Sequence, residues 1–448
     1  MPQPLPDEKE CRKLAARALG FARVEDASVS FVFEHASNTR FANNEITTSG
    51  AADAVTAVLT ATQDTRTGRV TLNETSNEAL ERAMRRAEEL ASLLPPDPED
   101  VGPLPPQKYL DIRAWDETTA SAGAVERLPG VRAVVGPAAL EGMNSSGFAT
   151  DIASVRCVAN KAGNFGWFRS TIATFTATVR TADGTGSGWA EDASWRMRDV
   201  DCADVAARAL RKARESAKPH TLDPGDYTVI LEPAAVAALI GSLGFGMSAR
   251  NADEGRSFFS KTGGGTRLGD KLFHDSVTLR SDPTDVRRLS APWGGGFGSG
   301  GADNALATAP ITWIDKGVVT NLWYDRYWAK RNDRQPTPPP TNLVLEGGND
   351  TLESLVASTE RGLLVTNFFY IRSVNPQTLQ STGLTRDGIW WIENGKIQYP
   401  VMNFRFNESP AVLLANVQGM TAAVRASGMV VPAIKASNFT FSSLSDAV

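Results

Sequence analysis

The stretch YTVILEPAAVAALIGSLGFGMSARN, residues 227–251, decides how the second half of this chain is read. Its opening YTVILE suits a buried strand, and Pro233 suits the first turn of a helix. Residues 234–240 are apolar on every side, which a helix inside a core requires. Gly241, Ser242, Gly244 and Gly246 then occupy the positions where chemistry-bearing side chains would be sought. Two interior glycines weaken a helix by about 2 kcal/mol relative to alanine. Either the helix ends near Gly241, or packing on its surroundings compensates.

Length and composition set the frame. A chain of 448 residues exceeds one ordinary core, so two domains are expected. Hydrophobic residues make up 42% and charged residues 22%, a globular balance. The net charge is -5, with both signs interspersed, which gives no electrostatic footprint for nucleic acid. Cys11, Cys157 and Cys202 are odd in number and far apart, as expected of reduced thiols. The first twenty residues lack an apolar signal core and no run is long enough to cross a bilayer, so a cytoplasmic location is expected, without a membrane partner.

The hydrophobic periodicity predicts an α+β protein. After a short helix ending near Leu19, residues 29–70 read as strands with turns at Ser37-Asn38, Ser49-Gly50 and Asp64-Thr65-Arg66. A helix over 75–94, opened by a Thr75 to Glu78 capping box, covers that antiparallel sheet with Leu80, Met84, Ala87, Ala91 and Leu94. PPDPEDVGPLPP, residues 95–106, can only be an extended connector. A helix near 116–126 follows, and then ATFTATV, whose Ala173, Phe175, Ala177 and Val179 alternate with threonines. Another helix over 199–216 closes an N-terminal α/β lobe at about residue 220. Residues 221–448 read as a mainly-β domain with a few helices, including a strand LFHDSVTL and hairpins at Asp315-Lys316-Gly317 and Asn394-Gly395.

Candidate chemistry is sparse. KTGGGTRLG and PWGGGFGSGG are glycine-rich, yet neither has the Gly-Lys-Ser/Thr of a phosphate loop nor the spacing of a dinucleotide fingerprint. A catalytic zinc needs about three protein ligands, and the chain has three histidines, His35, His220 and His274, widely separated. His274 and Asp275, on the expected strand, would point to opposite faces. No Gly-x-Ser-x-Gly elbow is present. Trp313, Trp323, Trp328, Trp390 and Trp391 read as core anchors rather than a base-stacking platform.

Four stretches together resemble the TldD/TldE (PmbA) family, once described as modulators of DNA gyrase. They are NTRFANNEITTSG with Arg40 and Asn43 or Asn44, VRCVANKAGNFGWFRST, the region from residue 227 to 283, and STGLTRDGIWWIENGKIQYPVMNFRF, all in the family's order. The resemblance implies a metallopeptidase architecture in which TldD members carry a His-Glu helix where this chain has Gly241, Ser242 and Gly246. It implies a TldE-type subunit with no catalytic or metal-binding residue and no cofactor of its own, the zinc being expected in a TldD-type partner. Heterodimer or homodimer, the assembly would enclose a channel for unfolded peptide, with Gly263, Gly264, Gly265, Gly295 and Gly296 as candidate walls. The rival readings are an autonomous homodimeric peptidase and a stand-alone peptide-binding scaffold.

Overall fold

The computed structural model describes residues 4–294 and 305–445. In the first half, alternation of apolar with small polar residues builds one six-stranded antiparallel sheet. Its order is Arg66–Leu72, Glu45–Gln63, Asp26–Ala42, Asn144–Asn160, Phe165–Arg180 and Ser187–Ser194. Odd-numbered residues such as Phe31, Phe41, Cys157 and Phe175 face a layer of helices, Glu8–Gly20, Asn77–Leu93, Ala124–Leu140 and Cys202–Glu215. The even-numbered face, rich in serine and threonine, is free of helices.

The expected turns at Ser37-Asn38 and Ser49-Gly50 are absent, because both lie inside continuous strands. The chain reverses instead at Asn43-Asn44, whose φ angles of +51° and +62° asparagine tolerates. Ser37 belongs to the sheet because Arg127, from the helix layer, donates to its hydroxyl at 2.6 Å and to that of Thr39 at 3.0 Å. Arg127 also pairs with Asp151 at 2.5 Å in a fully buried contact. Burial raises the Asp151 carboxyl above the usual carboxylate range although Arg127 opposes this.

Two helix starts also differ from expectation. Ser76, not Thr75, caps the second helix by accepting from the Ala79 amide. The single helix expected near 116–126 divides into Glu117–Ala120 and Ala124–Leu140, which Gly123 separates and Glu126 caps by accepting from the Gly123 amide at 2.8 Å. Pro129 and Pro137 sit inside the longer helix, where proline discourages a prediction from sequence.

The second half contains two further sheets. In one, Arg361–Asn375 pairs with both Gly225–Leu231 and Gln380–Glu393, so the strands close on themselves through Ile434–Leu444 and Phe404–Glu408. Phe368, Phe404, Phe406, Phe439 and Phe441 stack in its core, with ring centroids as close as 4.5 Å for Phe368 and Phe406. The other sheet is open, running Val318–Val319, Ile311–Asp315, Leu279–Ser281, Leu343–Leu345, Met429–Val431 and Val424–Ala426. Hairpin turns fall at Lys316-Gly317 and Asn394-Gly395, all with positive φ.

LFHDSVTL is not a strand before Leu279. Its amides are drawn elsewhere, Phe273 to the Gly317 carbonyl, His274 to Leu414 and Val277 back to His274. The opposite-face argument for His274 and Asp275 therefore fails. His274 Nδ1 instead contacts the Ser276 hydroxyl at 2.9 Å, and Asp275 pairs with Lys271. Among the described residues no helix is long and apolar enough to cross a membrane.

The buried Arg127–Asp151 pair generates a prediction. Arg127→Met leaves Asp151 unpaired in the interior and is expected to lower unfolding free energy by about 3–5 kcal/mol, whereas Arg127→Met with Asp151→Leu costs much less. Urea titration of the three proteins measures both values.

Candidate functional site

Helix Pro233–Gly246 is the element on which the chemistry of this lobe would turn. It does not end at Gly241. It packs on strand Arg361–Asn375 on one side and on Val424–Ala426 and Met429–Val431 on the other. Close packing stands in for the missing side chains at Gly241 and Gly246. A Cβ at Gly241 would stand 3.3 Å from the Met429 methyl, and one at Gly246 would stand 3.0 Å from a Leu379 methyl. The last carbonyls, which a helix leaves without internal partners, are bound from outside. Trp323 Nε1 donates to Gly244 at 3.2 Å, its backbone amide donates to Met247 at 2.9 Å, and the Ser257 hydroxyl donates to Gly246 at 2.5 Å.

These residues do not fit a zinc ion. Glycine offers no side-chain ligand, and the Ser242 hydroxyl turns back to the Leu239 carbonyl at 3.2 Å. The histidines stand in three separate places: His35 against Asp53 at 2.6 Å, His220 tilted against Tyr399 with ring centroids 4.6 Å apart, and His274 beside Ser276. Among the described residues no three side chains of histidine, cysteine, aspartate or glutamate converge. Neither Cys157 nor Cys202 is poised as a thiolate. The neighbouring Cys11 and burial push the Cys157 thiol up, and burial with Asp192 and Asp201 nearby pushes Cys202 up to about 11.

Gly263, Gly264 and Gly265 form an exposed turn with φ of +93°, +110° and +82°, closed by the Lys261 amide on the Gly265 carbonyl at 2.8 Å. Among the described residues nothing lies within 4 Å of the positions their Cβ atoms would take. Gly295 and Gly296 lie outside the described residues.

The open face of the N-terminal sheet confronts the second lobe across a cleft. Under the proline-rich connector is a cavity of about 580 Å³ lined by Ser28, Ser30, Thr60 and Thr62. Arg250 clamps the connector through two 2.6 Å bonds to Glu99, and Arg326 reaches the Gly102 carbonyl at 2.9 Å. A second cavity, about 720 Å³, lies where strand Ser187–Ser194 and helix Cys202–Glu215 meet the start of the central helix. Two ion pairs there bridge the lobes, Lys212 with Glu232 at 2.5 Å and Arg425 with Asp192 at 3.1 Å. Nearby, Arg287 and Arg280 hold Asp285, the former lowering its pKa most, to about 2. The threonine face was legible in the alternation of residues 173–179. Its confrontation with a second lobe was not, because contacts such as Arg250 with Glu99, 151 residues apart, and Arg425 with Asp192, 233 apart, leave no local pattern.

The fold and cleft define a two-lobed α+β protein built around one apolar helix. The family model for the PmbA/TldA metallopeptidase C-terminal domain matches residues 224–443, and that for PmbA/TldA metallopeptidase domain 1 matches residues 27–91. The chain belongs to the PmbA/TldD family. Solved structures similar to it include TldE from Thermococcus kodakarensis, at 18% identity and TM-score 0.83 over 96% of this chain and 99% of that one. A candidate modulator of DNA gyrase from Bacteroides thetaiotaomicron is 21% identical with TM-score 0.84, covering 98% and 100%. Another, from Thermotoga maritima, is 17% identical with TM-score 0.81, covering 97% and 100%. At these identities the likeness establishes the fold. No curated protein matches the chain.

Two predictions arise from this geometry. Gly244 has only ordinary contacts, 3.7 Å or more, around its would-be Cβ. Gly244→Ala is therefore expected to stabilise by about 0.5–1 kcal/mol through helix propensity. Gly246→Ala gains less or destabilises because Leu379 must move, and thermal unfolding of both variants checks the order. For Asp285, the folded pKa lies below the unfolded one, so its contribution is present above about pH 4 and fades as pH falls through about 2. Asp285→Asn should thus lower the melting temperature at pH 7 and converge with the parent near pH 2.

Proposed function

We propose that this chain is a TldE-type, non-metal subunit of a zinc metallopeptidase complex that holds unfolded peptide for cleavage by a TldD-type partner. The observation that carries the reading is the central helix. By the resemblance, Gly241, Ser242 and Gly246 take the place of the ligands of metal-bearing members, and in this chain Met429, Leu379 and Ser257 pack around them. A helix shaped this way serves packing rather than metal chemistry.

Peptide binding draws support from the sheet edge. Strand Arg66–Leu72 pairs with residues 57–63 of Glu45–Gln63, and among the described residues no strand pairs with the outer edge of 45–56. Free backbone donors and acceptors of that kind are what an extended peptide needs in order to add as a strand. The serine- and threonine-lined cavity lies farther along the same sheet, over Ser28, Ser30, Thr60 and Thr62. The name TldE, carried by the Thermococcus kodakarensis structure, agrees with this assignment.

The test mixes purified protein, zinc and an unfolded peptide with and without a TldD-type homologue bearing the His-Glu helix. Cleavage is expected with both chains present. Equal cleavage by this chain alone would overturn the subunit reading, and an unchanged rate for the homologue when this chain is added would do the same.

A further inference from the structure

We infer that a smaller cavity in the same cleft binds a carboxylate, namely the terminal carboxylate of a peptide whose last residue is apolar. This rests on the peptide-binding reading above and assigns a site to one end of the peptide.

The cavity measures about 280 Å³ and lies between the open face of the N-terminal sheet and residues 287–291. Its floor comes from two paired strands, in which Ser154 faces Ser170 and Arg156 faces Phe168. Arg156 is the anomaly. Its Nε is closed off from solvent and has no hydrogen-bond partner among the described residues. Buried donors are nearly always satisfied, so this unpaired Nε marks a guanidinium whose surroundings are incomplete, and because the side chain lines the cavity an acceptor there reaches it once the side chain turns. Guanidinium groups match carboxylates in a two-point geometry.

The opposite wall includes a second arginine. Arg288 donates through Nε to the Gly428 carbonyl at 3.1 Å, and burial depresses its pKa, with Glu191 the one carboxylate drawing it back up. Its neighbour Arg287 differs, being held by Asp285 at 2.7 Å. The Ser154 and Ser170 hydroxyls stand 3.1 Å apart, which uses one of their two protons and leaves the other for a ligand oxygen. Glu34, the register partner of Ser154 on the next strand, also lines the cavity. Its negative charge disfavours a dianion such as phosphate and suits a ligand with a single charge.

Shape selects the rest of the ligand. Drug-sized ligands occupy roughly 300–1,000 Å³, so this cavity accepts an end group rather than a long segment. Phe168, Trp195, Leu289 and Ile172 place apolar surface beside the cations. A carboxylate with an aliphatic side chain on the adjacent carbon fits that juxtaposition. An acidic side chain, whose carboxylate has no such neighbour, fits it less well.

Calorimetry on the full chain tests the site with N-acetyl-leucine, N-acetyl-leucinamide, and an unfolded peptide ending in leucine as the free acid or the amide. An amidated peptide with an internal glutamate completes the set. The acids are expected to bind at least about tenfold more tightly than the amides. Arg156→Gln should abolish that preference, Arg288→Gln should reduce it, and Arg156→Lys should keep part of it, with thermal unfolding showing that each variant is folded. Equal affinity of acids and amides, or an internal-glutamate amide as tight as the free acid, overturns the inference. If N-acetyl-leucine binds through Arg156 while neither long peptide binds, the site stands and the peptide-binding reading falls. If the long peptides bind regardless of their ends, that reading stands and the site falls.

Discussion

One constraint shapes the second half of this molecule: a helix that is apolar all round must be covered on all sides. Residues 234–240 offer water no polar face, so Pro233–Gly246 is stable only when enclosed. A closed sheet on one side and an open sheet on the other provide the enclosure. The glycines follow from the same constraint, since they let Met429, Leu379 and Phe259 approach the helix closely. What the helix loses in propensity it recovers in contacts, and its terminal carbonyls are satisfied by Trp323 and Ser257.

The first half solves a different problem. Its sheet buries one face under helices and leaves the other face polar, so the sheet need not be covered to be stable. That face is brought against the second lobe by ion pairs, by the clamped connector and by a small apolar cluster in which Val158 and Phe168 meet Trp293. Such an interface leaves cavities, because charged and hydroxyl-bearing side chains pack less completely than a hydrocarbon interior. The cleft and its sites are consequences of that choice.

Much of this was legible in the sequence. Period-2 alternation marked ATFTATV, the Asn394-Gly395 dipeptide marked a hairpin, and the proline run marked a connector, since each depends on neighbours in the chain. Missed features share a cause. The turn at Asn43-Asn44 competed with Ser37-Asn38 and Ser49-Gly50, and what keeps Ser37 in a strand is Arg127, ninety residues away. LFHDSVTL alternates well enough for a strand, yet its amides are claimed by Gly317 and Leu414. The long helix Ala124–Leu140 was hidden by two internal prolines.

Residue types by themselves determined the α+β class and the lack of metal-ligating side chains on residues 241–246, because periodicity and side-chain chemistry are local properties. Tertiary structure decided that the glycine-bearing helix runs on to Gly246, that the sheet of the second lobe closes on itself, and that Arg156 and Arg288 line one cavity. Each of these depends on which distant surface covers a given residue. Burial and hydrogen bonding between remote segments have no signature in the order of residues along the chain.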